Sequence, residues 1–456
     1  MANRLGEHAV VIGGSIAGLM TARVLTEHFD SVTVLERDHI NDSPALHRSI
    51  PQGHHIHVLF LGGQQVLSSL YPGFTDGLYQ LGAVRNRAGR DVAFILSDGK
   101  AYSVTGTVRE PRDLGFDGYN QSRGLLEYHV RQCTQALPTV RFTSDSLVEE
   151  LLYDHGRVQG VRYTRNGESQ TCVADLVVDT GGRGAHAPRW LKALGFPTPA
   201  ETTIGVDLAY ASTKFRVPAY YDEPERVLLF YGRAPQYVKT ALLAEIEDHT
   251  WIVSLAGRFG EYPPGDAEGF LAFAQSLYTP KLYQLLKDAE RVADITTHRF
   301  PTSVLRHYER LRAFPEGLLV LGDALSSFNP VYGQGMSSAA LQVKALQQVL
   351  QERVAGGQEL EGLALAFFPK AAETIRTPWT LAANQDFAFP QTQGERPTDL
   401  MARRQYFAAV DALTVEDVEV HRLMAEVFAL AKPLSALSEE PLRSRALARL
   451  QKQGSA

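Results

Sequence analysis

Gly13, Ser15 and Gly18 occupy the three glycine positions of a GxGxxG turn in "AVVIGGSIAGLMTARVLTEHFDSVTVLERD", and Glu36 closes the apolar run that follows. A turn of this kind brings backbone close to a pyrophosphate, and the amides of the helix behind it face the phosphate charge. An acid 23 residues after Gly13 accepts the hydroxyls of an adenosine ribose and repels a 2′-phosphate. Ser15 replaces the middle glycine, which weakens the motif without destroying it, because serine is small and its hydroxyl can donate to phosphate. The chemistry these residues point to is the holding of a dinucleotide.

A second constellation lies about 300 residues on, in "LLVLGDALSSFNPVYGQGMSSAALQVKALQQVL". Asp323 follows an apolar strand, where a carboxylate takes a ribityl hydroxyl, and Gly333-Gln334-Gly335-Met336 opens a long helix whose first amides point at a group that becomes anionic. Reduced flavin carries its negative charge near N1 and the C2 carbonyl, and an enzyme that binds NAD alone has no use for such a second site. FAD is therefore the expected cofactor. His54, His55 and His57, with His47 upstream, form an HHxH cluster with no carboxylate or cysteine at a matched spacing, so no metal is expected. Gly182 to Ala187 also fits GxGxxA after a strand, yet no following strand ends in an acid.

These residues need elements to position them. Ala9–Ile12 is an aliphatic run suited to a buried parallel strand, and a helical pattern runs from Ile16 to about His28. Three short strands are expected near 147–153, 157–164 and 170–174, and alternating runs from about 203 to 258 predict an antiparallel sheet. Tyr210, Phe230, Tyr231 and Trp251 in that sheet suit either the lining of an apolar cavity or plain core packing. After about residue 360 the chain reads as helices broken at prolines. Within it, Val415, Val418, Leu423, Val427 and Leu430 lie near helical spacing and predict one apolar face.

The expected fold class is α/β with an α+β insert: a Rossmann-like, three-layer FAD-binding domain interrupted by a mostly antiparallel β-sheet substrate domain, with a helical C-terminal segment. The expected boundaries are 1–83, 107–185 and 300–360 for the FAD-binding domain, 84–106 and 186–299 for the substrate sheet, and 361–456 for the helices. The 456 residues leave ample core for such a plan, and 44% hydrophobic with 21% charged content is ordinary for a globular fold. A net charge of −6 gives no reason to expect a nucleic-acid partner. No basic and apolar leader precedes the first strand, and no apolar run approaches the roughly 18 residues of a membrane span, so a cytoplasmic protein without a transmembrane segment is expected. Cys133 and Cys172 form no CxxC, which removes a redox-active dithiol.

"GGSIAG", "LERD", "DTGGRG" and "GDALSSFNPVYGQGM" together resemble the FAD-dependent aromatic hydroxylase superfamily, the p-hydroxybenzoate hydroxylase-like group A flavin monooxygenases. "PQGHHIHVLFLGG", "SRGLLEYHVR" and "TWIVSLAGRFGEYPPGDAEGFLAFAQSL" are similar to a bacterial branch that includes polyether-type polyene epoxidases. The resemblance spans nearly the whole chain. It implies that Gly13, Gly14, Ser15, Ala17 and Gly18 wrap the FAD pyrophosphate, that Glu36 and Arg37 hold the adenosine ribose, and that Arg123 reaches the phosphate and ribityl region. Val148, Asp179 and Gly181 would touch FAD, and Asp323 would bind the ribityl chain. Pro330, Gly333, Gln334, Gly335 and Met336 would line the isoalloxazine, with Pro330 also counted among the catalytic positions. Arg48, just before the Pro51-Gln52 turn, would sit over the flavin, and His54 or His57 would face the active site.

The activity implied is that of a monooxygenase. NAD(P)H, bound transiently, would reduce FAD, and O2 would form a flavin C4a-hydroperoxide whose oxygen passes to a bulky, apolar, electron-rich small molecule by hydroxylation or epoxidation. No pair of arginines suited to clamp a substrate carboxylate is evident in the sequence. Two alternatives keep the same motifs: an FAD-dependent reductase or dehydrogenase without oxygen transfer, and a non-catalytic flavin-binding module. Flavin halogenases carry paired tryptophans and an active-site lysine, whereas Trp190, Trp251 and Trp379 here are scattered.

Overall fold

The computed structural model describes residues 4–44, 51–96, 99–101, 108–184 and 186–454. Five parallel strands form the first sheet, in the order Leu318–Val320, Leu176–Asp179, Gly6–Ile12, Phe29–Leu35 and Val140–Thr143. Parallel strands covered on both faces need unbroken apolar runs. Val10, Val11, Val32, Val34, Val177 and Val178 supply them, each fully buried. The helices Ile16–Leu25, Arg123–Gln135 and Gly335–Ala355 pack together beside the sheet. A three-stranded antiparallel sheet, Ser146–Asp154, Arg157–Arg165 and Glu168–Val173, joins the same core through Val158 and Val161.

The order of strands has a consequence for the site. Gly13 follows one central strand, Thr180 follows its neighbour and Gly322 follows the edge strand next to that, so the glycine turn, the Asp179–Gly184 turn and Asp323 all gather at the carboxyl ends of adjacent strands. Ligands of open α/β sheets bind at such an edge.

A second sheet has eight strands, in the order Ser326–Ser327, Thr296–Arg306, Glu201–Arg216, Thr250–Arg258, Lys239–Ile246, Val227–Tyr231, Val92–Leu96 and Gly99–Ala101. Its pairings are antiparallel except that Val227–Leu229 run parallel to Val92–Phe94. The sheet continues to Arg306, past the boundary expected at residue 299, and Val84–Arg87 lies outside it, paired instead with Asp117–Asn120. The period of two along its strands separates the aromatic residues. Tyr210 and Tyr231 face a cavity, whereas Phe230 and Trp251 pack with the helices Ala267–Gln275 and Lys281–Leu286 in a core of their own.

The C-terminal region departs from expectation in two ways. Helix Leu363–Asp386 runs 24 residues straight through Pro369 and Pro378, with no break at either. Each internal proline costs roughly 3 kcal/mol, and the burial of Phe367, Phe368, Ala371 and Ile375 along helix Gly335–Ala355 offsets it. The single apolar face expected across Val415 to Leu430 is cut at Asp417, whose Oδ1 caps a new helix, Val418–Phe428, by accepting from the Glu419 and Val420 amides. Val415 and Val418 are consequently exposed, while Val427 and Leu430 are buried. Among the described residues no helix is long and apolar enough to cross a membrane.

Candidate active site

The glycine turn is built by close approach. Gly13 has φ +102°, a conformation that favours glycine, and a side chain at Gly18 would collide with the Gly13 carbonyl oxygen. The Gly14 amide donates to Glu36 Oε2 at 2.7 Å, and the Asp38 amide donates to Oε1 at 2.9 Å. Burial pushes the Glu36 carboxyl up, and these two hydrogen bonds oppose the rise. Each carboxylate oxygen keeps a second acceptor position for another donor.

Ser122 caps the helix Arg123–Gln135, its Oγ accepting from the Leu125 amide, and this fixes where Arg123 begins. Arg123 Nη2 donates to Ser15 Oγ at 2.6 Å and to Glu127 Oε2 at 2.8 Å, and Ser15 Oγ donates to the same Glu127 oxygen at 2.7 Å. Arg123 Nη1 approaches Met336 Sδ at 2.7 Å, so one buried guanidinium joins the first glycine turn to the last. Burial pulls its pKa down, opposed by Glu127 and Asp323. Beside it, Gln121 lines the cavity at 3% exposure, and among the described residues neither of its amide atoms nor Arg123 Nε has a partner.

Asp323 lies on the cavity wall and accepts no hydrogen bond from the described residues. Burial pushes its carboxyl up to about 6, with Arg123 and Arg183 opposing. Beyond it, Asn329 Oδ1 accepts from the Val331 amide at 3.1 Å, and Gly333, at φ +67°, turns the chain into the helix Gly335–Ala355. Pro330, Gly333, Gln334, Gly335 and Met336 all line the cavity, as do Gly13, Ser15, Ala17, Glu36, Arg37, Val148 and Gly181. Gly14, Gly18 and Asp179 do not. Asp179 lies beneath the wall, its oxygens accepting from the Gly181 and Ala187 amides, so it shapes the turn on which Gly181 sits. Arg48 falls outside the described residues.

The histidines divide at the end of the short helix Pro51–His54. His54 is exposed and off the wall; His55 and His57 lie on it. His57 Nδ1 donates to the His55 carbonyl at 2.9 Å, which sets its tautomer, and burial followed by the nearby Arg123 brings its pKa down to about 4. His55, absent from the expected site residues, is 3% exposed, with Nδ1 2.7 Å from Ser212 Oγ and its ring edge-on to Tyr210 at 4.1 Å. Burial, then His57, His298 and His54, lower its pKa to about 3. Both rings on the wall are neutral at pH 7.

The cavity measures 1420 Å³, more than the roughly 300–1,000 Å³ of a pocket for one small ligand. From the nucleotide turns it extends over Phe94, Leu229 and Ile252 of the large sheet and under Phe407 and Phe428 of the C-terminal helices. Arg183, Arg233 and Arg404 also lie on its wall, which the sequence did not disclose; Arg233 is exposed, and Arg183 is engaged, donating to the Thr302 carbonyl and stacking 4.4 Å from the Phe300 ring centre. Among the described residues no lysine or tryptophan lines it.

No family model matches the chain. Protein Rv3254 of Mycobacterium tuberculosis is 33% identical over 407 residues, which cover 87% of this chain and 84% of that protein. Kynurenine 3-monooxygenase of Salinispora tropica is 27% identical over 74% of this chain and 71% of its own, and squalene monooxygenase 1,2 of Brassica napus is 23% identical over 76% and 61%. The solved structure of the flavin-dependent brominase Bmp2 superposes with a TM-score of 0.69 over 99% of both chains at 14% identity, which shows a shared fold. The chain belongs to the family of Rv3254, within the FAD-dependent aromatic hydroxylase-like superfamily.

As a member of that superfamily it is an FAD-dependent oxidoreductase, of the monooxygenase kind. The residues present fit an FAD-type cofactor: glycines that let the turn close tightly against Thr180 and its own helix, an acid at the second strand end, and, without a partner among the described residues, both buried amide atoms of Gln121 and the buried Gln334 carbonyl oxygen on the wall. Glu127 and Gln121 are further polar groups that sequence reasoning passed over. Glu127 had a signal, the (i, i+4) spacing from Arg123 that pairs opposite charges on one helix face; Gln121 had none.

Proposed function

We propose that this superfamily member inserts one oxygen atom from O2 into a bulky, mostly apolar, electron-rich substrate, by hydroxylation or epoxidation, with NAD(P)H as transient reductant. The single observation that carries the reading is the continuity of the cavity, which joins the nucleotide turns to a broad aliphatic and aromatic wall with room for a second large molecule. Among the relatives, one is named for squalene, an apolar polyene, and one for kynurenine. The wall over Phe94, Leu229 and Ile252 suits the first of these classes better.

Glu36 would accept from the adenosine ribose, the Gly13 and Ser15 turn would meet the pyrophosphate, and Asp323 would take a ribityl hydroxyl. Pro330 and the first amides of helix Gly335–Ala355 would face the isoalloxazine, their dipole favouring negative charge there. When bound, FAD supplies two-electron exchange with NAD(P)H and activation of O2. The remaining task belongs to the chain. The aliphatic wall excludes water, Phe94 and Tyr231 offer aromatic rings to a substrate π-system, and Asn384, 9% exposed with both amide atoms unpaired among the described residues, offers one polar handle for orientation.

The test offers the FAD-loaded protein a panel of polyenes, quinols, polycyclic phenols and small hydroxybenzoates under isotope-labelled O2. Label in the product of a large apolar compound, with NAD(P)H consumption matching product, is the expected result. Turnover without label would favour the reductase reading, and coupled turnover confined to small benzoates would overturn the substrate class.

A further inference from the structure

Asp386, the last residue of helix Leu363–Asp386, is wholly buried and is absent from the cavity wall. Three donors converge on its Oδ1: Arg258 Nη1 at 2.8 Å, Asn329 Nδ2 at 2.8 Å and the Tyr332 hydroxyl at 2.7 Å. Arg258 Nη2 also donates to the Tyr332 oxygen at 3.0 Å, closing a ring of contacts. The other carboxylate oxygen, Oδ2, has no partner among the described residues. The donors come from separate parts of the fold, because Arg258 ends a strand of the large sheet while Asn329 and Tyr332 bracket the turn at Pro330.

This arrangement controls a direction. The Asn329 side chain holds its own turn through Oδ1, which accepts from Val331, and is held from below through Nδ2 on Asp386. Tyr231 adds a tie from the sheet by donating to the Val331 carbonyl at 2.8 Å. Gly333 follows immediately, so the orientation of residues 329–332 sets where the amides of Gly335 and Met336 point. Arg258 is 4% exposed and packs 4.9 Å from the ring centre of Phe389, so neither member of this ion pair has water to replace a lost partner. Apolar packing would join sheet and helix equally well, but it would not fix the direction of the Asn329 and Tyr332 donors.

We propose that Asp386 is a positioning residue for the flavin-facing turn, anchoring Asn329 and Tyr332 and, through Arg258, registering that turn against the substrate sheet. The inference rests on the reading that residues 330–336 face the isoalloxazine. It gives the C-terminal region a role in the electronics of the cofactor site, although Asp386 touches neither cofactor nor substrate.

The experiment compares the full-length, FAD-loaded wild type with D386N and, in case that variant does not fold, with Y332F, which removes one donor and keeps the ring. Folding is checked by circular dichroism, and the readouts are the FAD dissociation constant, the visible spectrum of bound FAD and its reduction potential. The expected result for D386N is affinity weakened by about tenfold, a changed visible spectrum and a more negative potential, as anionic reduced flavin loses aligned amides. Y332F should move the same readouts in the same direction by less. A folded D386N with wild-type affinity, spectrum and potential would overturn the proposal even if its melting temperature fell, and so would a silent Y332F if D386N fails to fold. A D323A variant run in parallel separates the two levels. If it too leaves FAD binding untouched, the reading of the cofactor site fails; if it sheds FAD while D386N is silent, only the role of Asp386 fails.

Discussion

Arg123 Nη2 donates to Ser15 Oγ at 2.6 Å, tying the capped helix to the glycine-rich turn that begins 110 residues earlier at Gly13. The same guanidinium neutralises Glu127, and both side chains are more than nine-tenths buried. Replacing Arg123 with methionine would take the guanidinium away from the buried Glu127 carboxylate and from Ser15 Oγ, and breaking a buried ion pair costs about 3–5 kcal/mol. R123M is therefore expected to melt well below the wild type and to purify with little flavin, read as the ratio of visible to ultraviolet absorbance. R123M with wild-type melting and full flavin would show that the network does no more than fill space.

Glu36 and Asp323 are expected to separate stability from cofactor retention. Each accepts hydroxyl donors from FAD in the proposed site, and a hydrogen bond to a charged group contributes about 1.5–3 kcal/mol. E36A and D323A should each weaken FAD binding by about tenfold or more. E36A should also loosen the turn, because the Gly14 and Asp38 amides lose their acceptor. Equilibrium titration of the apoprotein with FAD measures both.

Asp323 gives this binding a pH dependence with a definite sign. Its carboxyl is raised from 3.8 to about 6 in the folded protein, so ionisation opposes folding of the apoprotein. The penalty is absent below pH 3.8, grows as pH rises and is complete above about 6, where it reaches about 2–3 kcal/mol. Apo D323N should accordingly be more stable than apo wild type at pH 7, and the advantage should vanish near pH 4. FAD hydroxyls prefer the ionised form, so wild-type FAD affinity should fall as pH drops through about 6, while D323N shows no such step.

His55 and His57 work in the opposite sense. Their pKa values are lowered from 6.5 to about 3 and about 4, so the stability they contribute is complete above pH 6.5 and is lost as pH falls toward those values. At pH 5 each costs about 2 kcal/mol, since the unfolded histidine is protonated and the folded one is not. Denaturant melts at pH 7 and pH 5 should show H55Q losing about 2 kcal/mol less than wild type over that interval.

Phe407 and Phe428 cover the cavity from the C-terminal helices. Removing both rings should admit water without touching the nucleotide turns. F407A/F428A is expected to keep FAD and to oxidise NAD(P)H while releasing more peroxide per turnover, measured by a peroxide-coupled assay. Unchanged coupling would show that these helices do not seal the site.

The nucleotide half of this protein was written locally. Gly13, Ser15 and Gly18, the acid at Glu36, and Asp323 with the GQG helix start each sit within a few residues of the strand or helix that aims them, so periodicity and turn chemistry carry them. The parallel character of the first sheet and the antiparallel character of the second follow from the same short-range patterns, whereas the order of strands does not. What tertiary structure alone decided has partners far apart in the chain. His55 rather than His54 reaches the cavity because the short helix ends at His54 and the following residues lie against Ser212 and Tyr210, some 155 positions on. Helix Leu363–Asp386 survives two prolines because its buried face outweighs them, and Asp417 restarts a helix where spacing suggested one continuous face. The convergence of Arg258, Asn329 and Tyr332 on Asp386 spans 128 residues between Arg258 and its acceptor. No local pattern encodes which buried donors will share one oxygen. That depends on how two sheets and a helix come together, and the pairing is set by the cost of leaving any of those groups unpaired once water is gone.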